Sequence, residues 1–201
     1  FFSSIVILPI VLFCIKSGAK IFSSFLIFLF LLTSYEWIKM NNKKFINKIL
    51  GIFFLIFSFF SAFQLRELYG INFFVQVVLI CVFTDLGGYF FGKFFKGPKL
   101  TKISPKKTYA GVLGSFILPI IICLIFTNYI NLNYIEILNF NVLYSILIIS
   151  LISQLGDLVI SYFKRVAKVK DTGKIIPGHG GVLDRIDGLI FVIPILNLLK
   201  T

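Results

Sequence analysis

Polar and reactive residues are scarce in this 201-residue chain, which has three cysteines, one histidine and eight acidic residues against twenty basic ones. Cys14, Cys81 and Cys123 stand singly inside apolar runs, which argues against a disulfide framework and leaves them as small packing residues. One histidine with no cysteine nearby cannot build the usual nitrogen and sulfur shell of zinc. No Walker A pattern and no GxGxxG fingerprint occurs, which weighs against a P-loop or Rossmann nucleotide site. Repeats, heptads and Pro/Ser-rich linkers are lacking too, so residues 1–201 read as a single domain.

What the chain has in abundance is hydrocarbon. Hydrophobic residues make up 58% of it and the mean hydropathy is +0.99, too apolar for a soluble domain of this size. Runs able to cross a bilayer core of about 30 Å fall near 1–15, 20–38, 49–65, 71–92, 109–127, 141–163 and 186–199. The alternating pattern of an outer-membrane barrel is missing. Backbone groups in lipid must then be satisfied within helices, so the expected fold is all-α, a polytopic transmembrane bundle of about seven spans. The chain opens at Phe1 without Met, so further N-terminal sequence is expected. Phe1–Ile15 lacks a basic n-region and an A-x-A-like site, and is read as a span rather than a signal peptide.

The net charge of +12 invites a nucleic-acid reading, but its distribution argues against one. The connections near 39–48, 93–108 and 164–185 hold four, six and six basic residues. Those near 16–20, 66–70 and 128–140 hold two, one and none, with Lys200 at the tail. The two groups alternate along the chain, so sixteen positive charges face one side and four the other. The positive-inside rule makes the rich side cytoplasmic. Residues 1–70 form the N-terminal spans, and 71–201 a second half with cytoplasmic loops 93–108 and 164–185.

Two acids lie within the spans of that half. Asp85 and Asp157 sit near the cytoplasmic ends of the fourth and sixth spans, where a carboxylate must face the bundle interior and a cation. Asp157, Ser161 and Lys164 are spaced i, i+4, i+7, which stacks them on one helical face. Asp184 and Asp187, at i, i+3, can converge if a helix starts there. With Asp157 they could supply oxygen ligands to a hard divalent cation. The plainer alternatives are a structural ion pair for each intramembrane acid and helix-dipole compensation for the other two.

The segment Ser161–Asp187 concentrates six basic and three acidic residues with the sole histidine. Its Pro177-Gly178-His179-Gly180-Gly181 run allows tight turns with backbone N–H groups turned toward an anion. Ringed by Lys164, Arg165, Lys168, Lys170 and Arg185, it reads as a phosphate cradle. His179 could donate to phosphate, hold the turn or transfer a proton, and the first two uses are favoured. Ser104–Thr108 (SPKKT), with Lys106 and Lys107, is either a second phosphate or headgroup contact or a positive-inside anchor.

These motifs resemble the signature of phosphatidate cytidylyltransferases, the CDP-diacylglycerol synthases. The match runs through Ser161, Lys164-Arg165, Lys170-Asp171, Pro177 to Gly181, Asp184-Arg185 and Asp187 at fixed spacing over 27 positions. Asp85, Tyr89, Gly92-Lys93, Ser104–Thr108 and Gly156-Asp157 extend it over the C-terminal part of the chain. Ala110 and Ile160 stand where the family often carries Glu. The resemblance implies transfer of CMP from CTP to phosphatidate, giving CDP-diacylglycerol and pyrophosphate. It implies Mg²⁺ at Asp157, Asp184 and Asp187, with room for a second monovalent or divalent cation. Lys164, Arg165 and Arg185 would hold phosphates, while SPKKT and the Gly180-Gly181 turn would bind CTP or the headgroup. No nucleic-acid partner is expected, and a homodimer is compatible with the sequence. The competing readings are a CTP-dependent lipid kinase, an isoprenoid-lipid cytidylyltransferase, an ion-coupled transporter using Asp85 and Asp157, and a nonenzymatic scaffold for anionic lipid.

Overall fold

A computed structural model describes residues 2–41, 45–101, 104, 107–125, 142–176 and 180–200. Lys106 and His179, both expected in the site, lie outside these residues. The helices are α1 (Phe2–Lys16), α2 (Ala19–Met40), α3 (Phe45–Phe95), α4 (Tyr109–Ile125), α5 (Val142–Val166), α6 (Leu183–Ile186) and α7 (Leu189–Lys200). Among the described residues there is no strand, only isolated bridges pairing Lys99 with Thr108 and Ile176 with Gly180. The helical fold expected from composition is therefore observed, and α2, α3 and α5 are long and apolar enough to cross a membrane. Helices α4 and α7 are apolar but shorter.

Helix α3 runs 51 residues and is interrupted once, at Gly70, with φ 85° and ψ 164°. That conformation is essentially restricted to glycine. The runs expected at 49–65 and 71–92 fall on its two halves, and the connection expected at 66–70 shrinks to one residue. The helix persists through Arg66 because that side chain is used inward. Its Nε donates to the Ile15 carbonyl at 3.1 Å and its Nη2 to the Ser17 carbonyl, while the guanidinium stacks 4.7 Å from the Phe22 ring centre. Arg66 thus satisfies carbonyls at the end of α1 that have no helical partner.

Glycines set the crossing of α3 and α4. A Cβ on Gly87 would lie 2.2 Å from the Gly114 carbonyl oxygen, and one on Gly111 would lie 2.8 Å from that of Gly88. Small residues let the two backbones touch, the usual basis of close helix pairing in lipid. The loop between them is closed by Leu100 N–H to Lys107 O at 2.8 Å and Tyr109 N–H to Pro98 O at 3.2 Å. Thr108 caps α4, its Oγ1 accepting the Gly111 N–H at 3.1 Å.

Two apolar clusters hold the bundle together. One gathers Phe22, Leu65, Phe73, Val77, Ile149, Val192 and Leu196. The other, Trp37, Met40, Leu55, Ile160, Leu183 and Ile190, packs directly beneath the polar segment after α5. Trp37 meets Phe163 edge-on with ring centres 5.1 Å apart, and its Nε1 donates to the Asn47 carbonyl at 2.9 Å. Phenylalanines such as Phe13, Phe28, Phe53 and Phe60 are exposed, an unfavourable pattern in water and a natural one against lipid.

Candidate active site

Helices α3, α4 and α5 and the segment before α7 surround a polar cavity of about 370 Å³. Nine residues singled out from the sequence line it: Asp85, Ser104, Lys107, Thr108, Asp157, Lys164, Asp184, Arg185 and Asp187. Ser161 lies one turn behind, buried, and donates to Asp157 Oδ1 at 3.2 Å, as the i, i+4 spacing predicts. Gly180 adopts φ 87° beside Asp171 and Asp184, and Gly181 donates its N–H to Asp184. Arg165 and Lys170 are exposed and do not line the cavity.

Two ion pairs organise the interior. Lys107 Nζ lies 2.6 Å from Asp157 Oδ2, joining the loop before α4 to the middle of α5. Lys164 Nζ lies 2.8 Å from Asp184 Oδ1, joining the end of α5 to α6. The other oxygen of Asp184 accepts the N–H groups of Thr172 at 2.8 Å and Gly181 at 3.1 Å. Burial opposes ionisation of Asp184, but the hydrogen bonds from Lys164, Thr172 and Gly181 outweigh it and hold the carboxyl below its usual range. Asp187 turns one oxygen to its neighbour's N–H, Gly188, at 2.9 Å.

Among the described residues, no three His, Cys, Asp or Glu side chains are gathered into a ready-made metal shell. Asp157, Asp187 and Asp85 nevertheless line one cavity within electrostatic range of each other. Mg²⁺ is commonly held by one or two carboxylates completed by water and substrate phosphate, and this set fits that demand. Asp184, in contrast, has both oxygens engaged by Lys164 and backbone donors.

A second cavity, of about 390 Å³, is almost wholly apolar and reaches between α1, α2, α3 and α7. Of its described lining residues only Arg185 is charged, and Arg185 also lines the polar cavity.

Sequence reasoning passed over Glu36 and Gln154, and it named Tyr89 and Asp171 only as motif matches with no role in the site. The last three line the polar cavity. Glu36, on α2 and 1% exposed, accepts hydrogen bonds from Val182 N–H at 3.0 Å, Leu183 N–H at 2.9 Å and the Thr172 hydroxyl at 3.2 Å. The signal was available: Glu36 is an acid inside the apolar run 20–38, the criterion that picked out Asp85 and Asp157.

Comparison with known proteins gives the chain a family. The chain is 37% identical over 175 residues to a phosphatidate cytidylyltransferase of Staphylococcus aureus (strain COL), covering 85% of this chain and 65% of that protein. The Staphylococcus saprophyticus enzyme of the same name is 37% identical over 174 residues, and that of Staphylococcus epidermidis 35% over 175, with the same coverage. The chain thus spans about 65% of the length of the relatives it matches. The cytidylyltransferase family itself matches over residues 44–201, a stretch holding both ion pairs and all the carboxylates of the polar cavity. On that match, this chain belongs to the cytidylyltransferase family.

Proposed function

We propose that this protein transfers CMP from CTP to phosphatidate, giving CDP-diacylglycerol and pyrophosphate. The observation that carries this reading is Arg185, among the described residues the one charged side chain shared by a polar and an apolar cavity. A phosphorylated lipid needs that combination, with hydrocarbon on one side and anion-binding groups on the other. A phosphate oxygen of phosphatidate bonds to the α-phosphorus of CTP, and the bond from that phosphorus to the bridging oxygen breaks, releasing pyrophosphate. The nucleophile is already an anion, so no side chain has to remove a proton.

Catalysis is then positioning and charge neutralisation. Lys107, Lys164 and Arg185 offer cationic donors to the phosphates. Asp157 and Asp187, with Asp85 beside them, would hold Mg²⁺, which when bound offsets charge on the triphosphate and on the departing pyrophosphate. Asp184 orients Lys164 and would reach a cation only by sharing the oxygens it now turns to Lys164 and the backbone. The residues of SPKKT complete the phosphate contacts, with His179 a further donor, while Gly181 spends its N–H on Asp184.

In the same reading the bundle has about seven spans, with α3 supplying two. The polar cavity faces the cytoplasm of a bacterial inner membrane, where CTP and a bilayer lipid can meet. Homodimerisation belongs to the proposal and is read from the mass of the detergent-solubilised particle.

The test is purified full-length protein in mixed micelles with phosphatidate, labelled CTP and Mg²⁺. Labelled CDP-diacylglycerol and pyrophosphate are expected, lost on chelation and restored by Mg²⁺. Ion-coupled flux in liposomes with no CTP turnover would replace the enzyme by a transporter. Consumption of CTP with γ-phosphate transfer would make it a lipid kinase.

A further inference from the structure

We infer that Glu36 is a positioning residue of the active site, holding Thr172 and the Val182–Leu183 turn in the arrangement that aims Asp184 and Lys164 into the polar cavity. This rests on the proposed CMP transfer and assigns a role to α2, which lies before the family match at residues 44–201. Glu36 does not line the cavity, so it acts through the segment it grips.

A carboxylate this deeply buried is strongly disfavoured unless every oxygen is satisfied. Here three neutral donors supply that satisfaction: the N–H groups of Val182 and Leu183 and the hydroxyl of Thr172. Hydrogen bonds to an ionised acceptor are about twice as strong as neutral ones. The surrounding backbone is shaped to admit the carboxylate. A Cβ on Gly173 would lie 2.4 Å from Glu36 Oε1, and one on Gly181 would lie 2.5 Å from Oε2. Any side chain at either position would push Glu36 out of its seat.

The grip passes directly to the ion pair. Thr172 is held twice, its hydroxyl by Glu36 and its N–H by Asp184 Oδ2. Gly181, which donates to the same Asp184 oxygen, directly precedes the two residues whose N–H groups Glu36 accepts. Asp184 in turn fixes Lys164. Loss of Glu36 therefore frees Thr172 and the start of α6 together and leaves Asp184 with a moving set of donors.

Glu36→Gln and Thr172→Val test this in the full-length protein, the second deleting only one of the three bonds. For Glu36→Gln, kcat for CMP transfer should fall about tenfold to a hundredfold, the effect of small misplacement. The KM for CTP should stay within about threefold, because no phosphate contact is removed. Thr172→Val should give a smaller loss in the same direction, and Glu36→Asp should recover part of the activity. Hydrogen exchange at the amides of residues 180–183 should rise in Glu36→Gln, with α5 unchanged. Faster exchange with full activity would reduce Glu36 to a structural staple, and unchanged exchange with full activity would remove the grip altogether. If the wild-type protein fails to transfer CMP, the function is wrong, and the exchange measurement still decides the grip.

Discussion

Lys107 Nζ lies 2.6 Å from Asp157 Oδ2, so the loop before α4 is tied across the cavity to the middle of α5. Both side chains keep about a quarter of their surface, 26% and 27%, open to the cavity. If the proposed function holds, each would exchange the other for substrate phosphate or metal. Lys107→Ala and Asp157→Asn should each lower kcat/KM by roughly 10²-fold. The double variant should be little worse than Asp157→Asn alone, since residues acting as a unit are not additive. Steady-state kinetics of the three variants checks this, and full additivity would mean that the pair does not work together.

Asp184 sets an acid limit. Its carboxyl is held below the ordinary 3.8 despite burial, because Lys164 and two N–H groups favour the charged form. In the unfolded chain the same group takes up a proton at higher pH. The stability it contributes is therefore complete above about pH 4 and is lost as pH falls through the lower folded value. Thermal midpoints measured in detergent from about pH 6 downward should drop below that point. The drop should be shallower in Asp184→Asn, which has no charge to lose.

Gly87 should tolerate no side chain. Its Cβ would meet the Gly114 carbonyl oxygen at 2.2 Å, and backbone cannot rotate away. Gly87→Ala should destabilise the protein by about 1–3 kcal/mol through forced separation of α3 and α4. The thermal midpoint in detergent reads this directly. Activity should fall with it, since the same crossing suspends Lys107 over Asp157.

Gly70 should be equally intolerant for the opposite reason. Nothing lies within 4 Å of a Cβ placed there, so space is available, but φ is 85°. Gly70→Ala and Gly70→Asn should both cost about 1–3 kcal/mol, because ψ of 164° lies outside the left-handed region that Asn accepts. A neutral Asn variant would show that the backbone relaxes at this break.

The apolar cavity should distinguish lipids by chain length. Ala62, 3% exposed, lines it. Ala62→Phe should raise the KM for long-chain phosphatidate roughly tenfold while leaving short-chain lipid and CTP unaffected. Equal effects on all lipids would place the acyl chains elsewhere.

Much of the site was legible because charge is costly in an apolar chain. Asp85 and Asp157 stood out for that reason, and helical periodicity alone joined Asp157 to Ser161. Glu36 met the same criterion and was missed, because it sits far in sequence from any motif. Its partners, Thr172, Val182 and Leu183, lie more than 130 residues away, a distance only the path of the chain can close. The pairing of Asp184 with Lys164 was hidden likewise. Spacing put Asp184 with Asp187, and both line the polar cavity, but only the fold shows that Asp184 also turns an oxygen to Lys164. The helical segments were readable from hydropathy, but their ends were not. Arg66 looked like a loop residue until its role on the carbonyls of α1 appeared.

Trp37 adjoins Glu36 in sequence, packs on Phe163 of α5, and is the chain's sole tryptophan. A Cβ at Gly51 would fall 1.9 Å from its Nε1, so the indole rests directly on the α3 backbone. Carried on the same helix as Glu36, it therefore touches both α3 and the helix carrying Asp157 and Lys164. The protein has in consequence a built-in optical reporter. The intrinsic emission of this chain's single indole should register movement between α2 and α5 when nucleotide or lipid enters.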